Sequence, residues 1–378
     1  MKPLFQLLIF LLPTQLGRHF WPDWSYVYGL RVDFLSPAVF LTDIVAALFV
    51  ISCFPKVRPP KKETLIFLAI FSLNLAFSGH PALSLYFWAR AGFFLTVGFC
   101  VYRNKDKLKE AIRTPLFLAV GYSSAIAIFQ FIKGGSVGGP LFLLGERTFS
   151  VSTPGIATIE FFGKNYLRAY SVFPHPNVLA GFTLLSLIYL AAFKKRSVAL
   201  SSVYLLGFSA ILLSFSRTTF VASAFVALLY ATRKKLSVKR AGTVLVTLFA
   251  LLSLLLLLAT PSAKIRTKSI SSRLATVPAL RSAISTSPFF GVGLGGFMPT
   301  AGLREPPHNT FLLVFSELGI VGFAAFFLLV ARLASRISTT RSLLLLGAFL
   351  VTGFADHYWL TLGQGRYLFV ILMGTMYN

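Results

Sequence analysis

Apolar runs alternate with short polar turns along nearly the whole chain. The runs lie near Pro3–Leu16, Leu35–Phe54, Thr64–Ser78, Ala82–Tyr102 and Pro115–Ile132. They continue at Val178–Phe193, Val198–Phe215, Arg217 to the cluster Arg233-Lys234-Lys235, and Gly242–Thr260. The last three are Asn309–Ala331, Arg341–Asp356 and Arg366–Tyr377. A helix crosses the hydrocarbon of a bilayer with about 20 apolar residues. The pattern therefore predicts an all-α polytopic membrane protein of about 12 transmembrane helices, in a single integral domain covering residues 1–378. Two polar stretches are longer than the rest, about 133–177 and 261–307, and are expected as loops on one face.

Composition supports a bilayer as the solvent. The chain is 56% hydrophobic and 12% charged, with 40 Phe in 378 residues, more apolar than a soluble domain of this size needs. The net charge of +25 could have pointed to nucleic acid. Most of the cations, however, fall in clusters between spans, such as Lys56-Val57-Arg58-Pro59-Pro60-Lys61-Lys62 and Lys194-Lys195-Arg196. That is the positive-inside pattern of a multi-pass protein. It places both termini in the cytoplasm, both long loops outside it, and leaves no role for nucleic acid. Lys2 followed by an apolar run resembles a signal peptide without a small-residue cleavage site, so it is expected to stay as the first span. Cys53 and Cys100 lie in predicted spans and suggest neither a disulfide framework nor a metal site.

Several chemistries lack their residues. There is no Gly-x-x-x-x-Gly-Lys-Ser/Thr phosphate loop, no Asp-x-Asp pair and no His-Glu-x-x-His. No metal and no cofactor is expected. What the outer face offers is arginine, whose planar guanidinium suits phosphate. Arg217 lies in a tight turn between two spans, and the second long loop adds Lys264, Arg266, Lys268, Arg273, Arg281 and Arg304 against Glu305. Each has a plainer reading, as a snorkelling anchor or as attraction for lipid headgroups. His308 stands where polar loop meets apolar helix, followed by Asn309. Taken alone it suits a helix entry satisfied by backbone or water as well as it suits a base. His357, beside Asp356, is the strongest competitor; His19, His80 and His175 lack such a neighbour in sequence. Gly319 and Gly322 lie about 16 and 21 Å along a helix from His308 and are expected as close-packing positions. Glu317 is expected as a buried structural acid.

Several of these stretches, in order, resemble the bacterial O-antigen ligase and polymerase superfamily, over about residues 170–330. His308-Asn309, nine residues and Gly319 match the ligase signature. Pro288-Phe289-Phe290-Gly291-Val292-Gly293-Leu294-Gly295 is similar to its Pro-x-x-Gly-x-Gly-x-Gly run, and Arg273 precedes it by the family's spacing. Phe215-Ser216-Arg217 and Pro176-Asn177-x-x-Ala180 match two further motifs. The chain departs from the pattern at Val277, where the family often has Trp, and its loops are compact.

The resemblance implies a GT-C-like membrane glycosyltransferase in the bacterial inner (plasma) membrane, with its site on the periplasmic face. The donor would be a glycan on undecaprenyl pyrophosphate and the acceptor a lipid A-core hydroxyl or another glycolipid. His308 would be the catalytic base. Arg217, Arg273 and Arg281 would bind pyrophosphate, with Asn309 and Asn177 in support. Pyrophosphate leaves readily once arginines neutralise it, so one base suffices and a single displacement inverts the anomeric carbon. The alternatives are an O-antigen polymerase, which joins lipid-linked repeats, a protein-glycosylating relative and, from another class, a lipid or glycolipid transporter. The polymerase pattern of paired Arg-x10-Gly loops is absent: Thr158, Leu179 and Val292 stand where glycine would follow Arg147, Arg168 and Arg281.

Overall fold

The computed structural model describes the chain outside residues 54–60, 192–197, 233–236, 258–274 and 377–378. Arg273, Lys264, Arg266 and Lys268 lie outside the described residues, as do most of the Lys56–Lys62 cluster, Lys194–Arg196 and Arg233–Lys235. The rest is mostly helical. In order come α1 (Lys2–Leu11), α2 (Leu41–Cys53), α3 (Lys61–Ala76), α4 (Pro81–Arg103), α5 (Lys105–Leu108), α6 (Arg113–Lys133), α7 (Pro176–Leu190) and α8 (Val198–Leu213). Then follow α9 (Arg217–Thr232), α10 (Val238–Leu256), α11 (Val277–Thr286), α12 (Phe297–Ala301), α13 (Thr310–Arg336), α14 (Thr340–Ala355), α15 (Tyr358–Thr361) and α16 (Gly363–Met376).

Every apolar run of the sequence is occupied by a helix. Among the described residues α4, α6, α10 and α13 are long and apolar enough to cross a bilayer. Seven further apolar helices have 10–17 residues. The chain is a membrane protein by this measure, and strict all-α character is the one feature that needs correction. Three short antiparallel pairs close the loops: β1 (Gly17–His19) with β4 (Ala38–Phe40), β2 (Tyr26–Val27) with β3 (Leu30–Arg31), and β5 (Thr158–Phe161) with β6 (Lys164–Leu167). Such pairing satisfies backbone groups that a loop between helices would otherwise leave open.

The bundle is built round α7, which packs against α6, α8, α9, α14 and α16. All of its residues except Asn177 and Ile188 are buried, as expected for a helix that is apolar on every side. The loops that sequence assigned to one side meet at one end of this bundle, called the site end below. Gln15 Nε2 donates to the Val172 carbonyl at 2.6 Å, Arg168 Nε to the Ser214 carbonyl at 2.8 Å, and Asn177 Nδ2 to Asp356 Oδ2 at 2.9 Å. A second apolar cluster sits there, around Leu35, Leu83, Leu280, Phe297 and Leu312.

α13 is not continuous. Gly319 takes φ 64° and ψ −170° in its middle, and the glycine-rich segment inserts into the break. Val292 and Gly293 donate to the carbonyls of Ser316 and Glu317 at 3.0 and 3.1 Å, while Ile320 and Val321 donate to those of Pro288 and Phe289 at 2.9 and 3.2 Å. The helix's lost hydrogen bonds are thus replaced by strand-like ones, the condition on which irregular backbone is tolerated at membrane depth. A Cβ at Gly319 would overlap the Phe289 carbonyl, and one at Gly291 the Glu317 carbonyl. Both positions also lie at positive φ, which glycine alone adopts without cost.

Asn74 of α3 pins this junction. Its Nδ2 donates to the Phe290 and Glu317 carbonyls at 2.7 and 2.8 Å, and its Oδ1 accepts from Trp88 Nε1 and the Leu294 amide at 2.7 and 3.1 Å. Glu317 is buried and accepts the amides of Gly295 and Phe297. It is the structural acid expected from the sequence.

Candidate active site

His308 is placed by the residues that follow it. Asn309 caps α13, its Oδ1 accepting the Phe311 and Leu312 amides at 2.9 Å each. This satisfies two of the amides a helix N-terminus leaves unpaired. The same side chain donates from Nδ2 to the Phe354 carbonyl at 2.9 Å, and Thr310 Oγ1 donates to the Asp356 carbonyl at 2.8 Å. The start of α13 is therefore clamped to the end of α14. That clamp brings His308 Nδ1 to 4.0 Å from Asp356 Oδ1. The separation is wider than a hydrogen bond, and Nδ1 has no hydrogen-bond partner among the described residues.

Asp356 is the hub. Its Oδ1 accepts the His357 amide at 2.8 Å, and its Oδ2 accepts Asn177 Nδ2. The expected competitor, His357, belongs to the same cluster. Its Nε2 is 3.9 Å from Asp356 Oδ1, its ring centroid 5.5 Å from that of His308, and its Nδ1 pairs with Thr361 Oγ1 at 2.8 Å. Exposure separates the two imidazoles: the side chain of His308 is 29% exposed and that of His357 8%. Of the two, His308 is the one open to a molecule outside the bundle.

The charges follow from burial. Burial pushes His357 down to about 4, against the opposing pull of Asp356. It does the same to His175, whose Nδ1 accepts the Asn177 amide at the start of α7. Both imidazoles are neutral near pH 7. Burial would raise Asp356, but the imidazoles of His308 and its neighbours outweigh it and hold the carboxyl well below the usual carboxylate range. An ionised carboxylate thus stands 4.0 Å from the nearest nitrogen of an accessible imidazole.

Arg168, on the strand connection before α7, went unnoticed as a site residue in the sequence. Its Nη2 donates to Asn177 Oδ1 at 2.9 Å and its Nε to the Ser214 carbonyl. One guanidinium so joins the hub to the turn that carries Arg217. Asn177 is a link in that chain, between Arg168 and Asp356. Arg217 is exposed at the first position of α9. Phe215, two residues before it, is held at φ 48°. Arg281 is exposed on α11 and donates to the Leu257 carbonyl. Among the described residues neither Arg217 nor Arg281 bonds to the His308 cluster. The helices α7, α9 and α13 all begin at this end, and helix N-termini favour anions.

His308, Asp356 and His357 each offer a metal-ligand atom, all within 4.8 Å of one another. Two imidazoles and a carboxylate suit a first-row divalent ion. Neighbouring ligands about 2.1 Å from a tetrahedral ion stand roughly 3.4 Å apart, and the carboxylate here is 3.9 and 4.0 Å from the two imidazoles. His19 and His80 pair instead with Ser36 and Thr300.

An acid–imidazole pair thus stands at the mouth of a bundle of apolar helices, with the arginine turn tied to it through Arg168. Residues 202–327 match the family described as O-antigen ligase. That segment runs from α8 into α13 and carries Arg217, Arg281 and His308; the match supports the O-antigen ligase superfamily and a glycosyltransferase-like enzyme of the O-antigen pathway. No curated protein matches the chain.

Proposed function

We propose that the protein transfers an O-antigen glycan from undecaprenyl pyrophosphate to a lipid A-core hydroxyl, as an inverting, metal-independent ligase. His308 removes the acceptor proton, and Asp356 orients and balances the imidazolium that results. Arg217, with Arg273 or Arg281 from the second long loop, neutralises the departing pyrophosphate. The enzyme is a GT-C-like bundle of about twelve spans in the bacterial inner membrane, with cytoplasmic termini and the site end facing the periplasm.

The observation that carries this reading is the 4.0 Å approach of His308 to an ionised, buried Asp356, in a chain whose residues 202–327 match O-antigen ligase. A general base of this kind contributes about 10²- to 10⁴-fold to rate. In proteoliposomes supplied with lipid-linked glycan and purified lipid A-core, His308→Ala is expected to abolish transfer while the protein stays folded; full activity would overturn the base assignment. Offering lipid A-core against a second lipid-linked repeat decides between ligase and polymerase. Transport of the donor without any new glycosidic bond would instead favour a transporter.

A further inference from the structure

The β5–β6 hairpin carries a feature that glycosyl transfer does not use. Its tip is Phe161-Phe162-Gly163-Lys164, with Phe161 paired to Lys164. Phe162 is fully exposed, at 103% of its reference area, and Phe161 is 44% exposed. Phe162 also sits at φ 48°, a left-handed conformation that costs a bulky residue of order 1 kcal/mol or more and that Asn, Asp or Gly would adopt more readily at a hairpin turn. An aromatic is placed where it gains no contact within the chain and where backbone geometry disfavours it.

The hairpin does not stand away from the bundle. At its base, the Ala169 amide donates to the Leu213 carbonyl at 2.9 Å. Near its tip, Phe161 packs on Phe215 with ring centroids 5.5 Å apart, and Tyr166 stacks on Phe131 at 6.1 Å. Held at both ends, the hairpin lies flat across the site-end termini of α6 and α8. The last turn of α6, a helix long and apolar enough to span, exposes Phe129 at 61% and Ile132 at 74%. Phe131 of the same turn stacks on Tyr166, which places the hairpin beside those exposed side chains. Lys133 and Lys164 lie beside it, where ammonium groups meet lipid headgroups.

We propose that β5–β6 is an interfacial anchor, with Phe161 and Phe162 seated in the boundary between headgroups and acyl chains. Aromatic side chains favour that zone. Because Phe161 bears on Phe215, the anchor sets the depth of the Phe215–Arg217 turn relative to the phosphates of membrane lipids. The anchor rests on the membrane fold alone; only its consequence for Arg217 rests on the proposed transfer reaction.

The test is depth measurement on the full chain in phosphatidylcholine–phosphatidylglycerol vesicles. A nitroxide is attached to Phe162→Cys, with wild-type protein labelled in parallel as background, since Cys53 and Cys100 are both buried. Ser152→Cys, exposed in the neighbouring turn, is the aqueous control. The anchor predicts collisions with oxygen exceeding those with a water-soluble nickel chelate at 162, and the reverse at 152. The same aqueous profile at both positions would overturn it. Phe162→Trp gives an independent reading: brominated phosphatidylcholine should quench the emission gained over wild type at least twofold, and an absence of quenching equally overturns the proposal. Neither readout depends on catalysis, so an inactive enzyme would leave the result interpretable.

Discussion

Asp356 does three things with one carboxylate: it accepts the His357 amide, accepts Asn177, and faces the His308 imidazole. Asp356→Asn keeps the shape and most of the hydrogen bonding but removes the charge that supports an imidazolium. Turnover is expected to fall by at least about 10²-fold, read in single-turnover assays with saturating donor. Activity near wild type would make the carboxylate structural. His357→Gln should cost far less, because that ring is buried behind the hub. At the arginine turn, Arg217→Ala is expected to raise the KM for the lipid-linked donor more than Arg217→Lys, which keeps the charge and loses the planar fork. Equal, unchanged kinetics for both variants would reduce Arg217 to an anchor.

The element of greatest consequence is the broken helix α13. His308 stands just before its first half, and the glycine-rich segment fills the gap between the first half and the second. The Gly319 of the ligase signature and the Gly291 of the upstream run are two sides of one junction, which explains why the motifs travel together in this chain. Gly319→Ala would face both the positive φ and the Phe289 carbonyl. A loss of about 2–4 kcal/mol is expected, seen as a lowered Tm in detergent or as failure to accumulate in the membrane. A variant with unchanged Tm would mean that the break is dispensable. The helix-packing role expected for Gly319 is therefore too weak a description: the residue allows the helix to stop and restart.

At the scale of the whole molecule, the buried histidines make the fold sensitive to acid. His175 and His357 sit near 4 in the folded protein against an ordinary 6.5. Between those values the unfolded chain binds protons that the native chain refuses. Stability is therefore full above about pH 6.5 and falls as pH drops towards 4, by up to about 1.4 kcal/mol per pH unit for each histidine. Thermal unfolding in detergent at pH 7, 6 and 5 should show Tm decreasing stepwise. His175→Gln should flatten that dependence, and an unchanged slope would sink the assignment.

Much of this was legible along the chain, because membrane helices declare themselves by uninterrupted apolar length and basic clusters mark their ends. That local physics placed a helix at every apolar run, though not the short helices α5, α11, α12 and α15 of the polar connections, and the resemblance singled out His308, Arg217 and Asn177. The partners were not legible. Asp356 is 48 residues from His308 and Arg168 is nearly 190 from Asp356; only the clamping of α13 on α14 and the central position of α7 bring them together. That the two imidazoles are neighbours, and that burial leaves His308 the more open, likewise lay outside the sequence. The hairpin was hidden because its strands are only four residues each and its turn places Phe at a positive φ; the helix break was hidden because its hydrogen bonds join segments distant in sequence. Apolar pattern alone determined that the chain folds as a helical membrane bundle; long-range packing decided which residues at its mouth act as one site.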